Sequence, residues 1–164
     1  MPKLIKDGAI ASDEWQLLSA DEAASELPQG KIILPLTVWQ ERQAELSSRQ
    51  SEIGVWLDSA DLADTLGESA KGLPLVAINF PTFMDGRGFS TARLLRDSYG
   101  FDGELRAIGH IIRDQLFYLK RCGFNSFTFA DDIDVEAALA SLQDFSEAYQ
   151  TCVERKQPLF RRRA

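Results

Sequence analysis

"LVAINFPTFMDGRGFSTARLLRD", residues 75–97, runs from a solid apolar block, through a loop broken by proline and glycine, into a stretch of helical periodicity. It reads as a strand over 75–80, a loop "PTFMDGRG" over 81–88 and a helix opening at Ser90. An uninterrupted apolar run bounded by turn residues suits a strand covered on both faces, and "STARLLRD" spaces its apolar residues for one helix face. The same unit recurs along the chain. "KIILPL" (31–36), "IGVWL" (53–57), "ELRAIG" (104–109) and "SFTFA" (126–130) are further strands, and helical stretches follow at 40–49, 59–72, 110–123 and 134–155. Repeated βα units imply parallel strands joined by right-handed crossovers, which places the chain in the α/β class. Five units are too few for a closed eight-stranded barrel, leaving an open doubly wound sheet or an incomplete TIM-like barrel.

Boundary residues agree with this pattern. Ser59, Ser90 and Asp132 or Asp134 suit helix starts, and Gly72, Gly100 and Gly123 suit the left-handed positions at helix ends. In the fourth helical stretch Ile112, Leu116 and Leu119 share one face, which should pack on the sheet. Pro35 cannot donate to a ladder, so the first strand of the repeat is expected at an edge or to end early. The N-terminal "KLIKDGAIASDEWQLL" carries an Asp-Gly turn between short alternating runs, suggesting a β-hairpin, and "SADEAASEL" after it suggests a capped helical turn. The chain therefore reads as a single α/β domain: a hairpin and short helix over 1–30, βα repeats over 31–155 and a basic tail over 156–164.

Composition narrows the function classes. The 164 residues carry a net charge of −7, against the clustered cations that nucleic-acid binding needs. The one basic cluster, Arg161, Arg162 and Arg163, reads as a frayed, solvated end. No apolar run reaches the roughly 20 residues that span a bilayer, and the N-terminus lacks the apolar stretch of a signal peptide, so a cytoplasmic location is expected. Cys122 and Cys152 form neither a CxxC pair nor a zinc-ligand set and are expected as reduced thiols. Neither GxxxxGK[ST] nor GxGxxG is present, and no haem or iron–sulfur cysteine pattern occurs, so no cofactor or resident metal is expected.

Strand starts at Ile32, Ile53, Val76, Glu104 and Ser126 are spaced by 21, 23, 28 and 22 residues. The longest unit starts with the third strand, and its excess lies in "PTFMDGRG" or in "SYGFDG". Only the first of these follows the carboxyl end of a strand, where parallel α/β folds place ligands. Its chemistry suits an anion: Gly86 and Gly88 let backbone amides approach, Arg87 supplies a planar cation, and Ser90 opens a helix whose amides point back at the loop. Arg93, close to that helix start, opposes the macrodipole and calls for a negative charge. Asp85 or Asp97 would supply it locally, as a bound anion would from outside. Phe80, Phe83 and Phe89 around the loop either line a pocket or staple the loop to the core.

Other polar residues fall at the same sheet end. Asp58 closes the second strand of the repeat, Asn79 lies in the third, His110 follows the fourth and Asp131 the fifth. His110 is the only histidine, with Asp114 one helical turn on to orient it; that supplies a general acid or base, or simply a helix-start residue. Asp58 with Asp131 would assist it, or would be the carboxylates of a magnesium site.

The segments "AINFPTFMDGRGFSTARLLRD" and "GELRAIGHIIRDQLFYLKRCGFNSF" resemble an uncharacterised bacterial family commonly encoded beside assimilatory sulfite reductase and phosphoadenylylsulfate reductase, and described as oxidoreductases of sulfite reduction. The resemblance covers about residues 30–150 and is strongest over 77–129. It implies a cytoplasmic role in sulfur assimilation, with one of those reductases as partner, and carries over no catalytic residue. Since no redox motif is present, two readings follow. In one the chain is an accessory or interaction protein of the reductase system that binds a small oxyanion through Gly86, Arg87, Gly88, Ser90 and Arg93. In the other it is a small enzyme on an anionic substrate, with His110, Asp58 and Asp131 catalytic.

Overall fold

A computed structural model describes residues 3–130 and 132–162. Its frame is one eight-stranded sheet: β1 (Lys3–Lys6), β2 (Ala9–Ala11), β3 (Gln16–Leu17), β4 (Ile32–Pro35), β5 (Ile53–Leu57), β6 (Leu75–Phe80), β7 (Glu104–Gly109) and β8 (Ser126–Phe129), in the spatial order β2-β1-β8-β7-β6-β5-β4-β3. From β3 to β8 every pairing is parallel. β1 runs antiparallel to both β2 and β8. The Asp7-Gly8 turn that joins β1 to β2 takes positive φ at both residues, 50° and 77°, the combination that matches the twist of paired strands.

The five apolar runs of the repeat become β4 to β8 with boundaries shifted by at most one residue. β4 stops at Pro35, which has no donor to carry the ladder further, and only the two-residue β3 lies outside it. Consecutive parallel strands are neighbours throughout, without the reversal of strand order that a doubly wound sheet contains.

The sheet must curl. Only five residue steps separate Ala11, at one edge, from Gln16, at the other, a reach of about 18 Å when fully extended. A flat sheet would hold those edges about 34 Å apart across seven strand intervals. The strands therefore close into a half-barrel. Residues 12–15 form a strap across its concave side.

The two faces have separate cores. Ile32, Leu34, Val55, Leu57, Val76, Ile78, Phe80, Ala107 and Phe127 point outward into the main core, where they meet buried residues of α2 (Leu36–Leu46), α3 (Ala63–Leu66), α4 (Arg87–Asp97), α5 (Leu116–Cys122) and α6 (Val135–Ser141). Ile33, Leu75, Ala77 and Ile108 form the small concave core, closed by Trp15 of the strap and by Trp56. Gly54 keeps this side shallow, since a Cβ there would sit 3.1 Å from the Leu75 side chain.

The strap is held by charge. Arg106, 2 % exposed, donates from Nη1 to both Asp13 carboxylate oxygens (3.0 and 2.8 Å), and from Nε and Nη2 to Glu104 Oε1 (2.9 and 2.8 Å). Lys6 reaches the other oxygen of Glu104 at 2.7 Å. The indole of Trp56 donates to the Leu18 carbonyl at 2.9 Å, and α1 (Ala20–Ala23) follows, capped by reciprocal bonds between Ser19 and Glu22.

Several helices are shorter than their periodicity suggests. The fourth stretch turns extended at Ile112 and becomes α-helical only at Leu116, so Leu116, Leu119 and Cys122 are buried while Ile112 stands 39 % exposed. The last long stretch ends at Ser141 and continues as turns to α7 (Leu159–Arg162). Ser59 caps nothing, since α3 begins at Ala63; Asp134 does cap α6, accepting from Glu136 N and Ala137 N. In the tail Arg162 is tied to Glu147 at 2.7 Å rather than frayed, and Arg163 lies outside the described residues.

Candidate functional site

β5, β6 and β7 are adjacent and parallel, so the loops at their carboxyl ends form one rim. Asp58 and Asn79 meet there: Asn79 Nδ2 donates to Asp58 Oδ1 at 3.0 Å, and the same oxygen accepts from Ser59 N at 2.8 Å. Asn79 also packs on Gly109, whose φ is +89° and where a Cβ would fall 2.5 Å from Asn79 Oδ1 and from the Phe80 carbonyl. Only glycine fits that approach. The next residue, His110, is fixed through its backbone N, which donates to Phe80 O at 2.7 Å, and its side chain is exposed. Asp114 is not one helical turn from it; it lies in a 3-10 turn beside Arg113, at 3.6 Å, because the helix starts later. Asp131, expected on the same rim, lies outside the described residues.

The loop 81–86 is closed by its own charges. Arg87 donates from Nε and Nη2 to the two Asp85 oxygens (3.0 and 2.7 Å) and from Nη2 to Ser59 Oγ at 3.0 Å. The Asp85 carboxylate also accepts from Arg87 N at 3.3 Å. The Arg87 guanidinium, aided by Ser59 and that amide, holds the Asp85 carboxyl well below the usual carboxylate range. Asp85 thus sits where an external anion would, satisfying both the cation and the first amide of α4.

The helix begins one turn earlier than its sequence suggests, at Arg87 with Gly86 as the cap residue, and this reassigns the neighbours. Gly88 is buried in the first turn: a Cβ would lie 2.7 Å from Phe80 Cζ and 2.9 Å from Ile78 Cγ2, so the glycine serves close helix–sheet packing. Ser90 is a helical residue on the side of α4 and caps nothing, while Arg93, nearly two turns in, is paired with Asp97. Of the three phenylalanines, Phe80 is core, Phe89 packs on it edge-to-face at 5.2 Å, and Phe83 stands 57 % exposed. The second source of extra length, "SYGFDG", is clamped from inside. Arg96 donates from Nη1 to the carbonyls of Phe101 and Gly103 (2.7 and 2.9 Å) and from Nε to Gly123 at 3.0 Å.

Beyond Phe83, which the sequence places around the loop, the rim carries further exposed apolar residues. Leu62 (66 % exposed) follows β5, Phe83 and Met84 (87 %) follow β6, and Ile112 follows β7. The available signal was an apolar residue in each of three successive loops at the same sheet end. No group of three or more His, Cys, Asp or Glu side chains suited to a metal occurs among the described residues. Cys122 and Cys152 are free and buried, and no described helix is long and apolar enough to cross a membrane.

No curated protein matches the chain. Residues 54–160, from β5 to the start of α7, match the family described as bacterial protein of unknown function (DUF934), and the chain belongs to that family.

Proposed function

We propose that this protein is an accessory interaction protein of assimilatory sulfite and sulfate reduction, docking on sulfite reductase or phosphoadenylylsulfate reductase through the rim at the carboxyl ends of β5, β6 and β7. One observation carries the docking role: Leu62, Phe83, Met84 and Ile112 expose apolar side chains on the three loops that follow the adjacent strands β5, β6 and β7, which also hold the hydrogen-bonded Asp58, Asn79, Asp85 and Arg87. Exposed apolar side chains on neighbouring loops suit a protein contact, and the frame ties the loops after β5 and β6 together without ligand. The resemblance to proteins encoded beside the two reductases supplies the partner, and Arg87, engaged by Asp85, leaves little for a substrate anion at this rim.

The test is co-elution of the full chain with each purified reductase, beside the double variant Phe83→Asp/Met84→Asp. A stoichiometric complex formed by wild type and lost in the variant is expected. Wild type that binds neither reductase, or a variant that binds as wild type does, refutes the docking reading. The alternative, a proton-transfer enzyme on His110, requires that His110→Ala abolish growth on sulfate; unchanged growth refutes it.

A further inference from the structure

A cavity of about 450 Å³ opens on the outer helical layer, between α4, α5 and residues 150–152, and none of Asp58, Asn79, Asp85, Arg87 or His110 of the rim lines it. Its walls include Ser90, Arg93, Tyr118, Arg121 and the two cysteines, and none of its lining residues is acidic, in a chain whose net charge is −7. The cations are only partly neutralised nearby. Arg93 pairs with Asp97, but Lys156 shares that carboxylate, leaving one positive charge over. Arg121 forms no salt bridge among the described residues: its Nη2 donates to the carbonyls of Gln150 and Thr151 (3.1 and 3.3 Å), and its Nε is buried without an acceptor. A guanidinium with no carboxylate partner leaves its charge free to act on the cavity that it lines. Both guanidinium groups act on the same neighbour: burial pushes the Cys122 thiol up, while Tyr118, Arg93 and Arg121 pull against it. Two cations lining one cavity, with Ser90 and Tyr118 also in its wall, form an anion-recognition set.

We propose that this cavity binds a small oxyanion, free or as the anionic group of a larger molecule, with Arg93 and Arg121 as its cationic ligands and Ser90 at its mouth. The site is separate from the docking rim, so either reading stands if the other fails.

The full-length protein is titrated calorimetrically with inorganic phosphate, sulfate, sulfite and acetate at constant ionic strength. Saturable binding of at least one oxyanion is expected, weakened about tenfold or more by Arg93→Gln and by Arg121→Gln. Arg121→Gln also removes a tether on residues 150–151, so a second variant guards the inference. Ser90→Asp adds a carboxylate at the cavity on an exposed position in the N-terminal half of α4, and should abolish binding with the melting temperature preserved. Arg87→Gln on the rim should leave binding unchanged. Phosphate and sulfate bound more tightly than acetate indicates a tetrahedral oxyanion; the reverse indicates a carboxylate. No binding of any of the four at about 10 mM, or binding that survives Ser90→Asp in a folded protein, overturns the proposal.

Discussion

Replacing Arg106 by methionine tests whether the half-barrel depends on its strap. The side chains of Arg106, Asp13 and Glu104 are 2 %, 8 % and 6 % exposed, so the ion triad has almost no water to fall back on. Methionine keeps much of the packing of the arginine stem while removing four hydrogen bonds. Asp13 would then retain the amide of Trp15, at 3.0 Å, and Glu104 would retain Lys6. Breaking a buried pair from one side costs about 3–5 kcal/mol, and because Lys6 still serves Glu104 the lower end applies, about 3 kcal/mol. That is a large share of the roughly 5–15 kcal/mol that holds a domain folded. With a urea slope of about 2 kcal/mol/M, the unfolding midpoint should fall by about 1.5 M. Asp13→Asn in the Arg106→Met background removes the stranded charge and should recover a good part of the loss, giving a coupling of about 1–3 kcal/mol in the double-mutant cycle. Tryptophan fluorescence reports the strap directly through Trp15, and far-UV circular dichroism reports the sheet. A midpoint shift below about 0.5 M, or additive effects of the two substitutions, would show that the triad does not hold the strap.

The acid limb of stability carries the same network. Burial pushes the Glu104 carboxyl up, but Lys6 and Arg106 outweigh it and leave it below its ordinary value. Its stabilisation is thus complete above the normal glutamate range and lost as pH falls through the folded value, and Glu104→Gln should flatten that limb in pH-resolved melts. Gly88→Ala should destabilise by about 1–3 kcal/mol, read as a lower melting temperature, because the Phe80 ring it strikes is wedged between Phe89 and Phe124. Asp85→Asn frees Arg87 and should create anion binding at the rim: in the Ser90→Asp background, phosphate should bind only when Asp85 is also replaced, as a calorimetric titration would show.

The sheet was legible because the apolar runs of β5 and β6 are buried on nearly every residue, a pattern that solvent-facing helices do not share. The strap was not. Its meaning lies in a contact between Asp13 and Arg106, 93 residues apart, and an aspartate beside Glu14 in a polar segment carries no sign of such a partner. A signal did exist within "ELRAIG". Glu104 and Arg106 stand two apart in an otherwise apolar strand, hence on one face, and such charges in the middle of a sheet must find partners from outside it. The short α5 and α6 are less legible for a related reason, since periodicity extends wherever apolar residues happen to be spaced for it, while local bonds set the helix boundary, as where Ile112 turns extended and its amide donates to Gln115 Oε1 ahead of α5.

The placement of the anion residues turns on a single helical turn. With the helix opening at Ser90, the serine hydroxyl and Arg93 both aim at the loop, and Arg87 joins them in one site. The helix opens at Arg87 instead, because Gly88 lets its first turn settle against Phe80 and Ile78 and because Asp85 accepts from the leading amide. Ser90 and Arg93 then stand three residues apart on one side of a formed helix, where they face the same neighbour. That neighbour is α5, which brings Tyr118 and Arg121, themselves three residues apart, to the opposite wall. The three-residue spacing is thus present on both helices in the sequence, but it acquires chemical meaning only once the packing of Gly88 on Phe80 sets α4 on the sheet beside α5.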